Sequence, residues 1–326
     1  MKHIFIFCSI VLSFTSCLSF TSCQKNNAET PITEPPIKVD SIPTSQYNLA
    51  ILSYCNLFSK TPTVKTIANQ SYGELSGIAA SQKSEGIFYM QEDNNSRNVY
   101  LTNKNGDDLG KITLDNAGSS NWEDIAVGPG PEPGKTYVYV ADIGDNNAKA
   151  SFVSIYRFEE PEIVNPNATT QVHITNFDRI NLSYSKGSAD AETFMVDPLT
   201  KSIFILTKQN YKSYVYQAKY PQSTTSTTKM DVLAILNLDL LTAGDISSDG
   251  SEILLRNKSQ IWYWKRDAGQ NIVQTLLKSP QDAPYAANEK QGEGICFTSN
   301  SNGYLTNTEI LKYSGTISAL SYYPRQ

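Results

Sequence analysis

Histidine is almost missing from this chain. There are two, His3 and His173, and His3 falls in an N-terminal leader, so one is left in the mature protein. Multi-histidine zinc or iron sites are thereby excluded, and a Ser-His-Asp triad is possible only through His173. That residue sits in the alternating stretch "TTQVHITNF" and reads as an ordinary strand position. Basic runs are also lacking. With 27 Lys and Arg against 32 Asp and Glu, and no basic patch, nucleic acid is not an expected partner. Cysteine is scarce: three of the five (Cys8, Cys17, Cys23) lie in the first 23 residues, leaving Cys55 and Cys296 far apart in sequence. Two such thiols are weak grounds for a disulfide, and Cys296, in an apolar strand, reads as a buried free thiol. No stretch keeps a helical apolar period for three turns, which argues against a helical domain.

What is present begins with an export signal. Lys2 precedes the apolar run "IFIFCSIVLSF", too short to span a bilayer, and small residues then lead to a cysteine. The ending "SFTSC" occurs twice, at 13–17 and 19–23, and resembles a bacterial lipoprotein cleavage box with Phe in place of the usual Leu. We assign residues 1–22 as signal peptide and Cys23 as the lipid-bearing residue. Gln24 gives no inner-membrane retention cue, so the outer membrane is the expected destination. Residues 23–46, rich in Pro, Thr and Ser, read as a flexible tether, 47–62 as a lead-in, and 63–326 as the folded domain.

From Thr63 onward, short alternating segments rich in Tyr, Val, Ile, Thr and Phe are punctuated by turn residues, an all-β signal. Acid-then-apolar junctions recur: "NWEDIA", "DAETFMVDP", "AGDISSDG" and "GEGICFTSN". The apolar residues that follow, Ile78, Ile125, Phe194, Ile246 and Ile295, stand 47, 69, 52 and 49 residues apart. This spacing predicts a single five-bladed β-propeller of four-stranded blades. In the fourth unit, "DISSDG", "SEILLRN", "SQIWYWKRD" and "QNIVQTLLKS" read as its four strands. The last unit runs one strand short, and "PTVKTIAN" (Pro62–Asn69) is expected to supply it. Six blades is the alternative, if the insertion around Glu159–Ser185 hides another.

In such a meander the start of each first strand and the end of each second strand lie on one side. Two sets of residues should therefore gather at one channel mouth. One holds Ser76, Gly77, Glu123, Asp124, Glu192, Thr193, Gly244, Asp245, Glu293 and Gly294. The other holds Glu92, Asp142, Lys208, Arg256 and Glu309, joined by Asp145 and Asn146. Crowded carboxylates must share protons, pair with cations or bind a metal. We expect Glu123, Asp124, Asp142, Asp145, Glu192 and Glu293 as metal ligands, with Ca²⁺ as the fitting cation. Glu92, Lys208, Asp245, Arg256 and Glu309 are the expected ligand-binding residues. Within "NWEDIA", alternation sends Glu123 and Asp124 to opposite sides, one toward the channel and one locking the strand. Trp262 and Trp264 share one strand face, as a core pair or a surface for stacking on a sugar.

The segments "NWEDIAVGPG…TYVYVADIGDNNA…IYRFEEPE", "DAETFMVDPLTKSIFILTK" and "QGEGICFTSNSNGYLTNTE" resemble exported bacterial β-propeller lipoproteins of uncertain function. More loosely, they are similar to phytase-like and gluconolactonase-like calcium propellers. The phytase likeness implies calcium on Glu123, Asp124, Asp142, Glu192, Glu293 and Glu309, and phosphate on Lys208 and Arg256. The first junction, Ser76–Gly77, lacks the acid, and the long acidic runs of phytases are missing. The expected function is ligand or partner binding at an acidic mouth without catalysis. The alternatives are a calcium-dependent phosphoester or lactone hydrolase, and glycan binding or glycoside hydrolysis. Candidate partners are a small anionic ligand, a glycan or a protein, with the membrane reached through the lipid alone. A monomer is expected, with no haem, flavin or nucleotide.

Overall fold

A computed structural model describes residues 41–285, 289–311 and 317–326. The signal segment 1–22, Cys23 and most of the tether lie outside the described residues. Strand β1 (Thr63–Thr66) comes first. A four-stranded group follows: β2 (Leu75–Ala80), β3 (Phe88–Glu92), β4 (Asn98–Thr102) and β5 (Lys111–Leu114). The second group is β6 (Trp122–Pro129), β7 (Thr136–Asp142) and β8 (Val153–Glu159), with β9 (Gln171–Ile174) and β10 (Asp178–Tyr184) after it. The third is β11 (Ala191–Val196), β12 (Ile203–Thr207), β13 (Ser213–Ala218) and β14 (Thr228–Leu236). The fourth is β15 (Ala243–Ile246), β16 (Glu252–Arg256), β17 (Ile261–Lys265) and β18 (Gln281–Ala283), with the short helix α1 (Ile272–Leu276) before β18. The last is β19 (Gly292–Phe297), β20 (Gly303–Thr308) and β21 (Ala319–Pro324). The chain is all-β, as its alternating patterns predict.

Each group is an antiparallel meander in chain order. The expected closure is present: β1 pairs antiparallel with β21, Thr63 opposite Tyr322 and Thr66 opposite Ala319. The long second step is resolved by its own strands. β9 runs parallel to β5 and widens the first sheet, while β10 returns antiparallel to β8. β10 also runs parallel to β14, which merges the second and third groups into one eight-stranded sheet. The insertion thus feeds its neighbours, and among the described residues it builds no further four-stranded group.

The five first strands contact one another in a cycle: β2 with β6, β6 with β11, β11 with β15, β15 with β19, and β19 with β2. Side chains lock this cycle. Asp124, fully buried, accepts from the amides of Ile125, Phe194 and Gly244, so one carboxylate holds β6, β11 and β15. Asp245 accepts from Ile246 and Phe297, tying β15 to β19. Asn307 accepts from the Gly294 amide and donates to the Gly77 carbonyl, linking β20, β19 and β2. The hydrophobic core falls into five clusters, each built chiefly from two successive groups. Trp122 packs between the first and second groups, and Trp262 and Trp264 between the third and fourth, with Tyr263 on the opposite face of β17.

Two segments depart from expectation. "QNIVQTLLKS" is not the outer strand of the fourth group. Asn271 caps α1 and shares a reciprocal capping box with Gln274, and the outer strand is β18. The four buried residues of α1, Ile272, Val273, Thr275 and Leu276, follow a helical spacing that the alternation template hid. The lead-in, whose packing the sequence leaves open, and the end of the segment read as tether also bond to these sheets. Ser45 bonds to β14, Cys55 bonds to Asp282 of β18, and Ser59 bonds to Pro324 of β21. Cys55 and Phe58 are fully buried and Leu49–Ile51 forms a 3₁₀ turn, so this strap crosses three groups in succession. Cys55 and Cys296 are free, buried thiols. Among the described residues no helix is long and apolar enough to cross a membrane.

Candidate functional site

The junction acids are placed by a repeated backbone irregularity. In four of the five first strands the register to the second strand slips at the junction: Leu75/Ile78, Trp122/Asp124, Ala191/Thr193 and Gly292/Ile295. Such bulges leave an unpaired residue and re-aim its side chain. The residues they release include Ser76, Glu123, Glu192 and Glu293. β15 pairs without a slip, and its corresponding residue is Gly244.

These released residues line one cavity of about 120 Å³, with Glu74, Leu75, Asp93, Asn146, Lys208, Lys258, Gln291 and Glu309. Six carboxylates and two lysines thus face a space with room for several waters. Lys208 ion-pairs with Glu192 Oε1, and Asn121 Nδ2 donates to Glu123 Oε1 at 2.7 Å. Glu192 is 6% exposed, and its Oε2 is buried with no hydrogen-bond partner among the described residues.

Burial dominates the electrostatics. It holds Glu123 well above the usual carboxylate range, with repulsion from Glu192 adding to it. Glu192 is pushed up to about 7 by burial, with Lys208 pulling the other way. Glu293 rises to about 8 through burial and the neighbouring Glu192. For Lys208, burial opposes the charge, but Glu192 and Glu293 outweigh it and leave the ammonium above its ordinary value. Burial and mutual repulsion thus bias all three acids toward their protonated forms.

The expected residues divide into two kinds. Glu123, Glu192, Glu293, Lys208 and Glu309 meet at the cavity, with Ser76 and Asn146. Asp124 and Asp245 lock first strands instead, and both are raised by burial, Asp245 to about 7. The two acids of "NWEDIA" do part company, Glu123 to the cavity and Asp124 to the lock, through a bulge that simple alternation leaves out. Asp142 accepts from the amides of Ser120 and Asn121 and shapes the turn into β6. Asp145 accepts from the Ala150 amide, closing its own loop. Glu92 accepts from the Glu74 amide and the Tyr100 hydroxyl. Arg256 is fully buried and donates to Glu289 and to the Gly294 carbonyl. A side chain on Gly292 would collide with that guanidinium and displace it from these contacts. His173, on β9, lies within 3.1 Å of Asp115 and far in sequence from the junctions.

Calcium takes six to eight oxygens at about 2.3–2.6 Å. Of the six expected ligands, Asp124, Asp142 and Asp145 are engaged with backbone amides elsewhere. Among the described residues no group of three or more His, Cys, Asp or Glu side chains is gathered closely enough to hold a metal ion. Sequence reasoning missed Glu74, Asp93, Lys258 and Gln291. Each lies one or two residues from a predicted junction position and lines the same cavity. No protein-family model matches this chain, and no curated protein matches it.

Proposed function

We propose that this chain is an exported, lipid-anchored five-bladed β-propeller whose acidic mouth binds a positively charged ligand without catalysis. Three observations support the five blades: the cycle of first-strand contacts, the five core clusters between successive groups, and the β1–β21 pairing. On that reading β2, β6, β11, β15 and β19 line the channel, and the acid-lined cavity is one of its mouths.

Glu192 is the observation that carries the binding reading. A buried carboxylate oxygen without a partner costs free energy until a donor arrives. Six carboxylates against two lysines set the sign of that donor. An anionic ligand would have to use Lys258, draw Lys208 from its pair with Glu192 or use Arg256, and a sugar would need Trp262 or Trp264. Arg256 and both tryptophans are buried in structural contacts, and the two lysines are outnumbered by the acids around them. Calcium belongs to the test as the inorganic member of the cation class.

The test is a calorimetric titration of the metal-stripped mature protein with Ca²⁺, arginine amide and inorganic phosphate. Binding of a cation, weakened at least tenfold by Glu192→Gln, is the expected result. Phosphate binding in place of cations, or no heat with any cation, overturns the reading. For the anchor, Cys23→Ser is expected to move the protein from the membrane fraction to the soluble one.

A further inference from the structure

We infer that residues 34–40, the part of the tether just ahead of the strap, dock in a groove between the third and fourth groups. The inference concerns how the domain is attached and stands apart from the cation reading.

The groove comes from a mismatch of lengths. β18 pairs with β17 only at Ile261, Trp262 and Tyr263. Beyond them the five residues of α1 meet the nine of β14. A helix of that length rises about 7.5 Å, whereas such a strand runs about 30 Å. The space left is about 360 Å³, three times the acidic cavity and within the roughly 300–1,000 Å³ of ligand-holding pockets. Among its lining residues Phe204, Ile272 and Val273 are buried, while Lys219, Lys229 and Asp231 are exposed. The interior is thus apolar and the opening charged.

The strap is aimed at this groove. Thr44 bridges Ile235 in parallel, the Ser45 amide donating to the Ile235 carbonyl and the Ile235 amide to the Pro43 carbonyl. In a parallel pairing each earlier strap residue lies beside an earlier residue of β14. Ile42 falls level with Leu233, and continuing the pairing would bring Asp40 level with Asp231. Both β14 residues line the groove. The ladder cannot run further. β13 takes the other edge of β14, and β10 holds this one at Thr228, Lys229 and Met230. The segment must leave the edge there. On the strap's own side it meets the groove, because Tyr47, Leu49 and Leu52 pack on the same core cluster as Phe204, Ile272 and Val273.

The segment has the matching chemistry. It reads Glu-Pro-Pro-Ile-Lys-Val-Asp. Pro35 and Pro36 favour an extended chain, which lowers the entropy lost on docking. In an extended chain Ile37 and Val39 share one side, with Lys38 and Asp40 on the other. The apolar side suits the buried interior. Two acids and one lysine in the segment face two lysines and one acid at the opening, a complementary set. Docking shortens the linker behind Cys23 to residues 24–33, a reach of about 35 Å at most.

Limited trypsin digestion of the mature protein carrying Cys23→Ser tests this, since Lys25 and Lys38 are the two trypsin sites between residues 23 and 46. A protease cuts the undocked population. Relative to the same two bonds in a synthetic peptide of residues 23–46, the bond after Lys38 should be cut at least about tenfold more slowly than that after Lys25. Lys219→Glu with Lys229→Glu should raise the Lys38 rate about tenfold and leave the Lys25 rate unchanged. Lys219→Arg with Lys229→Arg should keep the protection. Should the charge-reversed protein be cut throughout 63–326, it has unfolded, and Leu233→Ser replaces it with the same expected rise. A Lys38 bond cut as fast as in the peptide, or protection indifferent to these groove changes, overturns the inference. Protection lost on about hundredfold dilution would put the segment of a second copy in the groove and overturns it as well.

Discussion

Neighbouring carboxylates here do different work, and substitution separates them. Asp124 supplies two oxygens to three amides, at 2.9, 3.0 and 3.4 Å, deep between three first strands. Asp124→Ala orphans those donors, and each buried unsatisfied group costs about 1–3 kcal/mol. We expect a loss of about 3 kcal/mol or more in urea unfolding. Glu123→Gln keeps a hydrogen-bonding group at the cavity and removes a carboxyl that burial disfavours, so stability should hold or rise while cation binding weakens. A fall in stability as large as that of Asp124→Ala would mean Glu123 is structural too. Asp245 brings a pH signature. Burial raises it to about 7 in the fold, against about 3.9 unfolded. The folded state therefore holds the proton more tightly. The contribution is complete below about pH 4 and is lost as pH rises through about 7. Asp124 and the Cys296 thiol lie close enough to sense Asp245, so the comparison must be with Asp245→Asn in the same background. The melting temperature of the wild type should fall relative to that variant between about pH 4 and pH 7 and run parallel above pH 8. A constant gap across that range would show that Asp245 does not titrate there.

At the scale of elements, the strap from Thr44 to Ser59 is the part that patterns concealed. It is apolar but short and follows no strand or helix period, and its partners, β14, β18 and β21, lie some 190 to 270 residues away in sequence. No local signal marks contacts of that kind. The bulges are hidden for a related reason. A period of two presumes that every residue is paired, and the residues released at 76, 123, 192 and 293 are those for which this fails. Strand order and closure, by contrast, were legible, because acid-then-apolar junctions recur about every 50 residues, with one step of 69 stretched by the insertion that carries β9 and β10. Phe58 tests the strap. Fully buried, it meets the rings of Tyr304 at 4.8 Å and Tyr263 at 5.8 Å, with the Arg325 guanidinium 4.9 Å over its face. Removing a buried aromatic typically costs about 3–5 kcal/mol. Phe58→Ala should lower the urea midpoint accordingly and open the strap to limited proteolysis. An unchanged midpoint would make the strap a passenger.

For the molecule as a whole, the decisive joint is the seam where the two ends of the domain meet. β1 contributes four ladder positions against β21, and all four of its own residues are exposed. It therefore holds through backbone pairing more than through buried side chains. Its departure would leave β21 with an open edge. Because the five first strands support one another in a cycle, loosening one sheet removes support from both its neighbours. Opening at β1 should therefore be an early step in unfolding. A covalent closure tests this at one place. Thr66 and Ala319 face each other across the seam, one exposed and the other part-buried. Directly opposed antiparallel residues have Cα separations of about 4.5–5.5 Å, within the range a disulfide accepts. With Thr66→Cys and Ala319→Cys oxidised, the bridge closes a loop spanning nearly the whole domain, where cross-linking contributes most, on the order of 2–4 kcal/mol. The oxidised protein should unfold at higher urea and more slowly than the wild type, and reductant should return both to the wild-type values. The native thiols Cys55 and Cys296 are buried and should not compete for the bridge. If the bridged form gains equilibrium stability but unfolds at the wild-type rate, the seam opens after the rate-limiting step, and the first rupture lies between sheets elsewhere in the cycle.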